Sequence, residues 1–433
     1  MRKSHIAPSR QPNRHWQSAI PKRNSSVPRS RAAFCARAGE QRTPKPNRSG
    51  APSPHTGAIR FILPPMHIPL LSLALSLATA AATAQSNAPS PVWLMQDSGS
   101  TASLRGIDSV DGTIAWASGT EGTVLRTTDA GQHWTKCPIP DANKDGATLD
   151  FRGVQAWDSD TAIVMASGPG DKSRLYKTTD GCKSWVLLFK NPDAPDGFFD
   201  SFWTRPNPSW KDGIILGDPV KKRIVVLETH DGGVHWKPDS SSRLFIGEAS
   251  IGGFAASNGL LEQTRSGYGY GFVVGGKSGS FYFHRNSQYE NWKKAQLPLA
   301  SGSESSGPFA MGYRWTFPKC TDCEHPSDYF YIAVGGDYSR AESQTGTASF
   351  STDVGFDWSP AKVPPHGYRS TVQYSEAEKL WITAGTNGSD LSRDDGKTWQ
   401  PLDNGNWNAL SLPFIVGPKG RIARLNPAGL PKP

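Results

Sequence analysis

Thr127-Thr128-Asp129-Ala130-Gly131-Gln132-His133-Trp134 is the stretch that decides the fold, because its pattern Thr/Ser-x-Asp-x-Gly-x-x-Trp recurs along the chain. Complete copies stand at residues 229–236, 351–358 and 392–399, and a near-copy at 178–185 has Cys182 in place of the glycine. A short motif that returns in this way is typical of a repeat architecture.

Each copy of the motif, called a box below, has the chemistry of a tight β-turn. The Thr or Ser ends a strand, and the Asp accepts hydrogen bonds from backbone N–H groups in the turn. Gly supplies a backbone conformation that other residues resist, and Trp opens the next strand with a large ring. The pattern predicts that these side chains are structural: Asp129, Trp134, Asp180, Trp185, Asp231, Trp236, Asp353, Trp358, Asp394 and Trp399.

Runs of alternating or continuous apolar residues precede each box, which predicts three strands before the corner and one after it. Two further units, around 271–292 and 407–425, lack a complete box, and the second stops one strand short. Pro91-Val92-Trp93-Leu94-Met95 resembles the strand that follows each box. The sequence therefore predicts an all-β fold: a seven-bladed β-propeller of four-stranded antiparallel blades, with the ring closed by the N-terminal strand.

The basic charge of this chain of 433 residues is concentrated at its start. Residues 1–65 hold thirteen Lys or Arg and one Glu, which gives this segment a formal charge of +12. The whole chain has a formal charge of +9, so the remainder carries −3. A segment rich in Pro, Ser and Arg without apolar periodicity is predicted to be disordered, or untranslated if Met66 is the true start. Residues 66–84 read as a signal peptide, with an apolar core ending at Ala82-Thr83-Ala84.

This interpretation places one propeller domain at residues 85–433 in a periplasmic or extracellular setting. No transmembrane span is expected after removal of the signal, because the apolar core is too short for one. The remaining domain is weakly acidic, so no nucleic-acid partner is expected, and the chain is expected to be a monomer.

The cysteines suit an oxidising compartment. Cys320 and Cys323 are close enough in sequence to form a disulfide, and Cys137 and Cys182 fall in neighbouring blades that they could bridge. Cys320, Cys323 and His325 offer an alternative set of three metal ligands, but no fourth ligand is visible nearby. No metal and no cofactor are expected, since no dinucleotide fingerprint or haem attachment motif is found.

Function is expected at the end of the propeller opposite the boxes, called the funnel face below. Alignment of the innermost strands places five residues at equivalent positions of five blades: Arg105, Arg152, Asp200, Arg369 and Asn408. The turns between second and third strands add charged groups. Arginines there could bind a carboxylate through forked hydrogen bonds, or could serve only to pair with acidic neighbours. The predicted ligand-binding set is Arg105, Arg152, Asp200, Asp218, Lys277, Asp337 and Arg369.

The blade pattern across about 90–425 resembles one branch of Asp-box propellers, the photosystem II assembly/stability-factor-like family. The resemblance is carried by Arg174-Leu175-Tyr176-Lys177-Thr178-Thr179-Asp180, Leu216-Gly217-Asp218-Pro219 and Val334-Gly335-Gly336-Asp337-Tyr338. It implies a seven-bladed, non-catalytic factor that binds a polypeptide partner. From the residues themselves, a small anionic ligand remains open as well.

The alternative is a glycoside hydrolase of the sialidase type that uses the same funnel. Its candidate catalytic residues are Asp218, Glu248 and Tyr368. The Phe/Tyr-Arg-Ile-Pro signature typical of sialidases is absent from the N-terminal blade. A glycosidase also needs two carboxylates at a defined separation, which a sequence does not fix.

Overall fold

A computed structural model describes residues 90–432 apart from 206–210, 264–268, 286–291, 317–327 and 354. The predicted segments 1–65 and 66–84 lie outside the described residues, as does the Cys320–Cys323 pair.

The described residues form 29 strands in seven antiparallel sheets. Blade one contains β2 (Leu104–Ser109), β3 (Ala115–Gly119), β4 (Val124–Thr127) and β5 (Thr135–Lys136). Blade two contains β6 (Phe151–Ala156), β7 (Ala162–Ala166), β8 (Arg174–Thr178) and β9 (Val186–Lys190). Blade three contains β10 (Phe199–Thr204), β11 (Gly213–Val220), β12 (Arg223–Thr229) and β13 (Lys237–Pro238). Blade four contains β14 (Ile251–Gly252), β15 (Leu261–Gln263), β16 (Tyr270–Gly276), β17 (Phe281–Arg285) and β18 (Lys293–Gln296).

Blades five and six contain β19 (Ser306–Thr316), β20 (Asp328–Asp337), β21 (Ala348–Ser351) and β22 (Ser359–Pro360); β23 (Thr371–Ser375), β24 (Leu380–Gly385), β25 (Gly388–Ser392) and β26 (Gln400–Asp403). Blade seven contains β27 (Ala409–Ser411), β28 (Phe414–Val416), β29 (Ile422–Leu425) and β1 (Trp93–Gln96). Five short 3₁₀ helices stand in the described connections: Gly146–Thr148, Gly170–Lys172, Ser242–Leu244, Tyr338–Arg340 and Pro427–Gly429.

The predicted seven-bladed fold and its closure are confirmed. Strand β1 pairs with β29 through Trp93 opposite Leu425 and Gln96 opposite Ile422, so the first described strand completes the last blade. The Trp93 indole donates to Ser389 Oγ of blade six at 3.0 Å. Closure removes the open sheet edges that a linear array of blades would expose.

The core lies between neighbouring blades. All five residues of β7 are buried, whereas β9 at the rim of the same blade is half-buried to exposed. Trp116 of blade one packs with Phe151 and Val154 of blade two, and similar apolar clusters fill the other blade interfaces. Central strands therefore read as continuous apolar runs, because both of their faces are covered.

The box turns share one hydrogen-bond pattern. Thr127 Oγ1 donates to Asp129 Oδ1 at 2.9 Å and accepts from the Gly131 N–H at 3.0 Å, while the His133 N–H donates to Asp129 Oδ1 at 2.9 Å. These hydrogen bonds, chiefly from the His133 backbone and side chain, lower the pKa of Asp129 to about 2. The other four boxes repeat the first three bonds around Asp180, Asp231, Asp353 and Asp394.

Cys182, which stands where the other boxes have glycine, forms a disulfide with Cys137. Its backbone has φ +62°, and its N–H donates to Thr178 Oγ1 at 3.0 Å, as the glycine does in the first box. The turn geometry is therefore retained despite the β-carbon. Of the two cysteine pairs considered from the sequence, the one that bridges blades one and two is present in the described residues.

Candidate binding surfaces of the central channel

A β-bulge recurs near the start of the innermost strand in four blades, at the funnel face. The bulge residues are Arg105, Arg152, Asp200 and Phe309. A bulge leaves its extra residue out of the ladder and re-aims the side chain. Three of the four are residues that the sequence alignment placed at equivalent positions.

Arg369 does not share this position. The Leu104 N–H that begins blade one donates to Gly417 O of the preceding blade at 3.1 Å, and the Arg369 N–H donates to Gly335 O in the same way at 2.9 Å. Arg369 is therefore equivalent to Leu104, and the predicted equivalence with Arg105 is wrong by one residue. In a strand, a shift of one residue sends the side chain to the opposite face.

The side chain of Arg369 is fully buried inside blade six. Its Nε donates to Asp390 Oδ2 at 2.6 Å and its Nη1 to Asn387 Oδ1 at 2.6 Å, while Nη2 contacts His366 Nδ1 at 2.9 Å. Burial lowers the pKa of Arg369 against the opposing effect of Asp390. These contacts assign Arg369 to the packing of its blade, the alternative role that the sequence left open for such arginines.

Arg152 is 7% exposed and spans two parts of the ring. Its Nε donates to Asp150 Oδ2 at 2.8 Å, and its Nη1 donates to the backbone oxygen of Ala255 in blade four at 3.0 Å. The buried Asp200 lies beside Gly253 of the same segment of blade four. Arg105, by contrast, is half-buried.

The predicted acidic and lysine groups of the funnel face lie mostly in local ion pairs. Lys277 pairs with Glu304 at 3.1 Å, and Glu248, 86% exposed, pairs with Lys222. Asp218 is half-buried at the end of the hydrogen-bonded part of β11.

Asp337 is also buried, but it is held by side-chain hydrogen bonds. Burial would raise its pKa, but hydrogen bonds from Ser305, Ser339 and Arg340 outweigh burial and lower the pKa to about 2. Arg340 itself is 71% exposed, so it presents a cationic group at the funnel face beside a fixed carboxylate.

An aromatic cluster occupies one side of the funnel face. The Phe309 ring stacks on Phe254 with centroids 4.1 Å apart and meets Tyr368 edge-on at 4.7 Å, and Tyr338 lies 6.1 Å from Phe309. Tyr368, a candidate nucleophile in the glycosidase alternative, is thus a buried member of this cluster. Sequence analysis did not anticipate the cluster, although Phe309 falls at the position it aligned.

The central channel is obstructed by residues 253–260, called the plug below. They leave the sheet between β14 and β15, which both pair with β16 and together form the interrupted innermost strand of blade four. Asn258 Oδ1 accepts from the Phe202 N–H of blade three at 2.8 Å, Gly259 O accepts from the Met311 N–H of blade five at 2.8 Å, and Ser257 Oγ donates to Ser370 O of blade six at 2.6 Å. With the Arg152 contact, four other blades hold the plug.

Beyond the plug, towards the boxes, a cavity of about 470 Å³ is lined by all seven blades. Its floor includes Ser257, Asn258 and Gly259, and its walls carry the carboxylates of Asp108 and Glu262. None of the predicted ligand-binding residues lines this box-end cavity. Sequence analysis missed it because its lining comes from the far ends of the innermost strands and from the plug.

Polar side chains at one position of the innermost strands join adjacent blades around this cavity. In four blades this side chain accepts a hydrogen bond from a backbone N–H of the next blade. The donor is the residue that directly follows the equivalent position there. The bonds are Asp108 Oδ2 to Ala156 N at 2.7 Å, Gln155 Oε1 to Thr204 N at 2.9 Å, Gln373 Oε1 to Leu412 N at 2.6 Å and Ser411 Oγ to Ser109 N at 2.9 Å.

Within the described ranges, no cluster of three or more His, Cys, Asp or Glu side chains is arranged to hold a metal ion. The predicted metal alternative at Cys320, Cys323 and His325 lies outside the described residues. In the same part of the chain, no helix has the length and apolar character needed to cross a bilayer.

The chain is similar in sequence to a known assembly protein. The chain is 22% identical over 352 residues to the photosystem II assembly lipoprotein Ycf48 of Synechococcus sp. (strain CC9902), covering 78% of this chain and 89% of that protein. The resemblance predicted from the motifs is confirmed. No protein-family model matches the chain.

Two solved structures have a similar fold. YCF48 bound to D1 peptide is 19% identical with a TM-score of 0.51, and the match covers 78% of this chain and 97% of that chain. YCF48 from Cyanidioschyzon merolae is 18% identical with the same TM-score, and the match covers 78% of this chain and 99% of that one. At this identity the structures establish the shared fold.

Proposed function

We propose that this protein is a non-catalytic binding propeller that acts outside the cytosol and holds a segment of a polypeptide partner at its funnel face. The observation that carries the proposal is the recurring bulge, which turns Arg105, Asp200 and Phe309 out of their ladders at one end of the channel. The half-buried Arg105 thereby lies at the same end of the channel as the buried Asp200 and Phe309.

The chemistry of this surface suits a peptide. Aromatic rings and arginines are enriched in the energetically important parts of protein interfaces. Tyr338, half-buried and packed edge-on against the buried Phe309, supplies a ring, and the exposed Arg340 supplies a cation that can bind a carboxylate or backbone carbonyls. The same cation would bind a small anionic ligand, which remains the finer alternative.

The comparisons support the polypeptide over the small anion. The similar lipoprotein is named for photosystem II assembly, and one similar structure is described as bound to D1 peptide. A partner of the same class, a polypeptide, is therefore proposed for this chain, without any inference that the partner is D1.

A location outside the cytosol is supported by two observations. The buried Cys137–Cys182 disulfide is of a kind that persists in oxidising compartments. The N-terminal sequence at 66–84 has the pattern of a signal peptide.

The test is cross-linking of the mature protein in its host, followed by identification of captured polypeptides. Arg105→Ala combined with Arg340→Ala should reduce capture of a defined partner severalfold. The matched control is Lys379→Ala, because Lys379 is 70% exposed and pairs with an acid three residues away, as Arg340 does, but lies at the box end. Equal capture by the funnel variant and by the control would exclude the funnel face as the binding surface.

A further inference from the structure

We propose that the box-end cavity is a second binding site, separate from the funnel face, that takes the ammonium group of an organic amine. The site is the chamber of about 470 Å³ between the plug and the box end of the channel. This volume falls within the range of ordinary small-molecule pockets, about 300–1,000 Å³.

The charge of the cavity selects the class of ligand. Among the described residues that line it, two are carboxylic acids, Asp108 and Glu262, and none is Lys, Arg or His. An anion entering the chamber would meet only like charge, whereas a cation would meet two carboxylates and the carbonyl oxygens of the lining amides.

Neither carboxylate is neutralised by the part of the protein that the structure describes. No ion pair there includes Asp108 or Glu262. Asp108 accepts from the Ala156 N–H, and Glu262 interacts with the Gln263 backbone. Both side chains are half-buried. A carboxylate partly withdrawn from water without a cation is destabilised, so it either holds its proton or binds a counter-charge.

The environment of the two groups agrees with this description. Burial raises the pKa of Asp108 to about 6 and that of Glu262 to about 7. A bound ammonium would supply the missing positive charge and favour the ionised form of both.

The walls of the cavity favour an organic cation over a bare metal ion. Trp157 and Trp203 line the chamber together with Val154, Leu261 and Met311. Aromatic faces attract organic cations, and aliphatic walls bury an alkyl chain but offer nothing to a hydrated metal ion.

The lining amides are held in place, so the chamber is preformed. Gln155 and Gln373 are each bonded to the next blade, and Asn258 is bonded to blade three. A preformed site loses little conformational entropy when it binds a ligand.

The experiment is isothermal titration calorimetry of the full chain at pH 8 with butylammonium, butanol and butyrate as probes of equal length. Butylammonium should bind at least about tenfold more tightly than butanol, because only its ammonium group can form charged hydrogen bonds with the two carboxylates. Butyrate should not bind detectably. Equal binding of butylammonium and butanol, or no binding of butylammonium, would overturn the proposal.

The variant Asp108→Asn with Glu262→Gln should weaken butylammonium binding by about tenfold or more. Asparagine at 108 keeps an oxygen that can accept from the Ala156 N–H, so the blade contact is preserved. Glu262→Gln alone serves if the double variant does not fold. The control is Glu248→Gln, an exposed acid away from the cavity, which should bind the probe as the parent does.

Two further probes distinguish the sources of such an ammonium group. A free diamine such as 1,5-diaminopentane is compared with a short peptide carrying one lysine and with the same peptide acetylated on that lysine. Tighter binding of the diamine assigns the cavity to free amines, and tighter binding of the lysine peptide assigns it to a protein side chain. Retention of the acetylated peptide at full affinity would contradict the site. None of these outcomes depends on the funnel face.

Discussion

The guanidinium of Arg152 in blade two donates to the backbone oxygen of Ala255 in the plug, 3.0 Å away, across 103 residues of sequence. Because the Arg152 side chain also binds Asp150 of its own blade, it ties the plug to the ring wall. The plug thereby lies between two regions of different character: a funnel face with arginines and aromatic rings, and a box-end cavity with two carboxylates. Proposals for the two ends can be tested independently.

Asn258 tests whether the plug contributes to the stability of the ring. Its Oδ1 accepts from the Phe202 N–H, and its backbone has φ +64°. Asn258→Ala should lower the free energy of unfolding by about 2–4 kcal/mol, because it removes buried hydrogen bonds and places alanine at a positive φ, which alanine adopts less readily than asparagine. Urea denaturation measures the change. Asn258→Gly keeps the backbone relaxed and should cost less, so equal losses would show that backbone conformation contributes nothing.

The disulfide between Cys137 and Cys182 should contribute about 3–4 kcal/mol to stability, given the separation of 45 residues between them. Cys137→Ser with Cys182→Ser should lower the unfolding midpoint accordingly. Cys137→Ser with Cys182→Gly removes the same cross-link but restores the glycine of the other boxes at φ +62°. It should be more stable than the double serine variant by about 1 kcal/mol. A double serine variant as stable as the glycine variant would mean that position 182 carries no backbone strain.

The sequence predicts the blades well because the hydrogen bonds of each box join residues that are close in sequence. Thr127, Asp129 and Gly131 bond one another within five residues, so their spacing alone specifies the turn. The closing strand is also predictable, because Trp93 repeats the tryptophan that ends each box and opens the next strand.

The channel was harder to predict for two physical reasons. The plug consists largely of small residues without periodicity, and its partners lie in four other blades, so nothing local marks it. Arg369 follows Tyr368 as Arg152 follows Phe151, yet the strand register differs by one residue and the side chain points the other way.

The box carboxylates should make the fold sensitive to acid. Hydrogen bonds lower the pKa of Asp129, Asp180 and Asp231 from 3.8 to about 2 in the folded state. A lowered carboxyl pKa adds stability above the unfolded value and loses it as the pH falls towards the folded value. The urea concentration at the unfolding midpoint should therefore decrease as the pH is lowered from about 4 to about 2. Asp129→Asn, which keeps an acceptor oxygen but cannot titrate, should make this decline shallower; an unchanged slope would contradict the assignment.

The cavity carboxylates should have the opposite pH dependence. Burial raises the folded pKa of Asp108 from 3.8 to about 6 and that of Glu262 from 4.5 to about 7. The folded state then binds protons more tightly than the unfolded state, so stability declines as the pH rises from about 4 through about 7. The Ala156 N–H and the Ser411 side chain are near Asp108. Tyr282 and Tyr313 are near Glu262. Glu262 also lines a neighbouring recess with Arg314, which is paired with Asp395.

Neutral replacements at these positions should stabilise the protein at pH 8 and have little effect at pH 4. For Glu262→Gln we expect a gain on the order of 1 kcal/mol at pH 8, reduced from the full shift because the cavity opens to solvent. Thermal unfolding at the two pH values measures the difference. Glu248→Gln, at an exposed acid, should change stability little at either pH. A destabilising Glu262→Gln at pH 8 would mean that the carboxylate already has a cation in the protein.

Gln155 joins blades two and three through both ends of its amide. Its Nε2 donates to Thr204 O at 2.7 Å and its Oε1 accepts from Thr204 N at 2.9 Å, so the side chain extends the sheet hydrogen bonding across the blade interface. Gln155→Met keeps the length of the side chain but leaves a donor and an acceptor of Thr204 without their partners. It should lower the free energy of unfolding by about 2–4 kcal/mol.

Gln373→Met is the matched comparison. Gln373 holds the equivalent position in blade six, where it has one such bond, from the Leu412 N–H at 2.6 Å. Its replacement should therefore cost about half as much, roughly 1–2 kcal/mol. Denaturant titrations of both variants measure the ratio. Equal losses would show that the second bond of Gln155 contributes nothing, and that packing of the side chain alone joins the blades at this level of the ring.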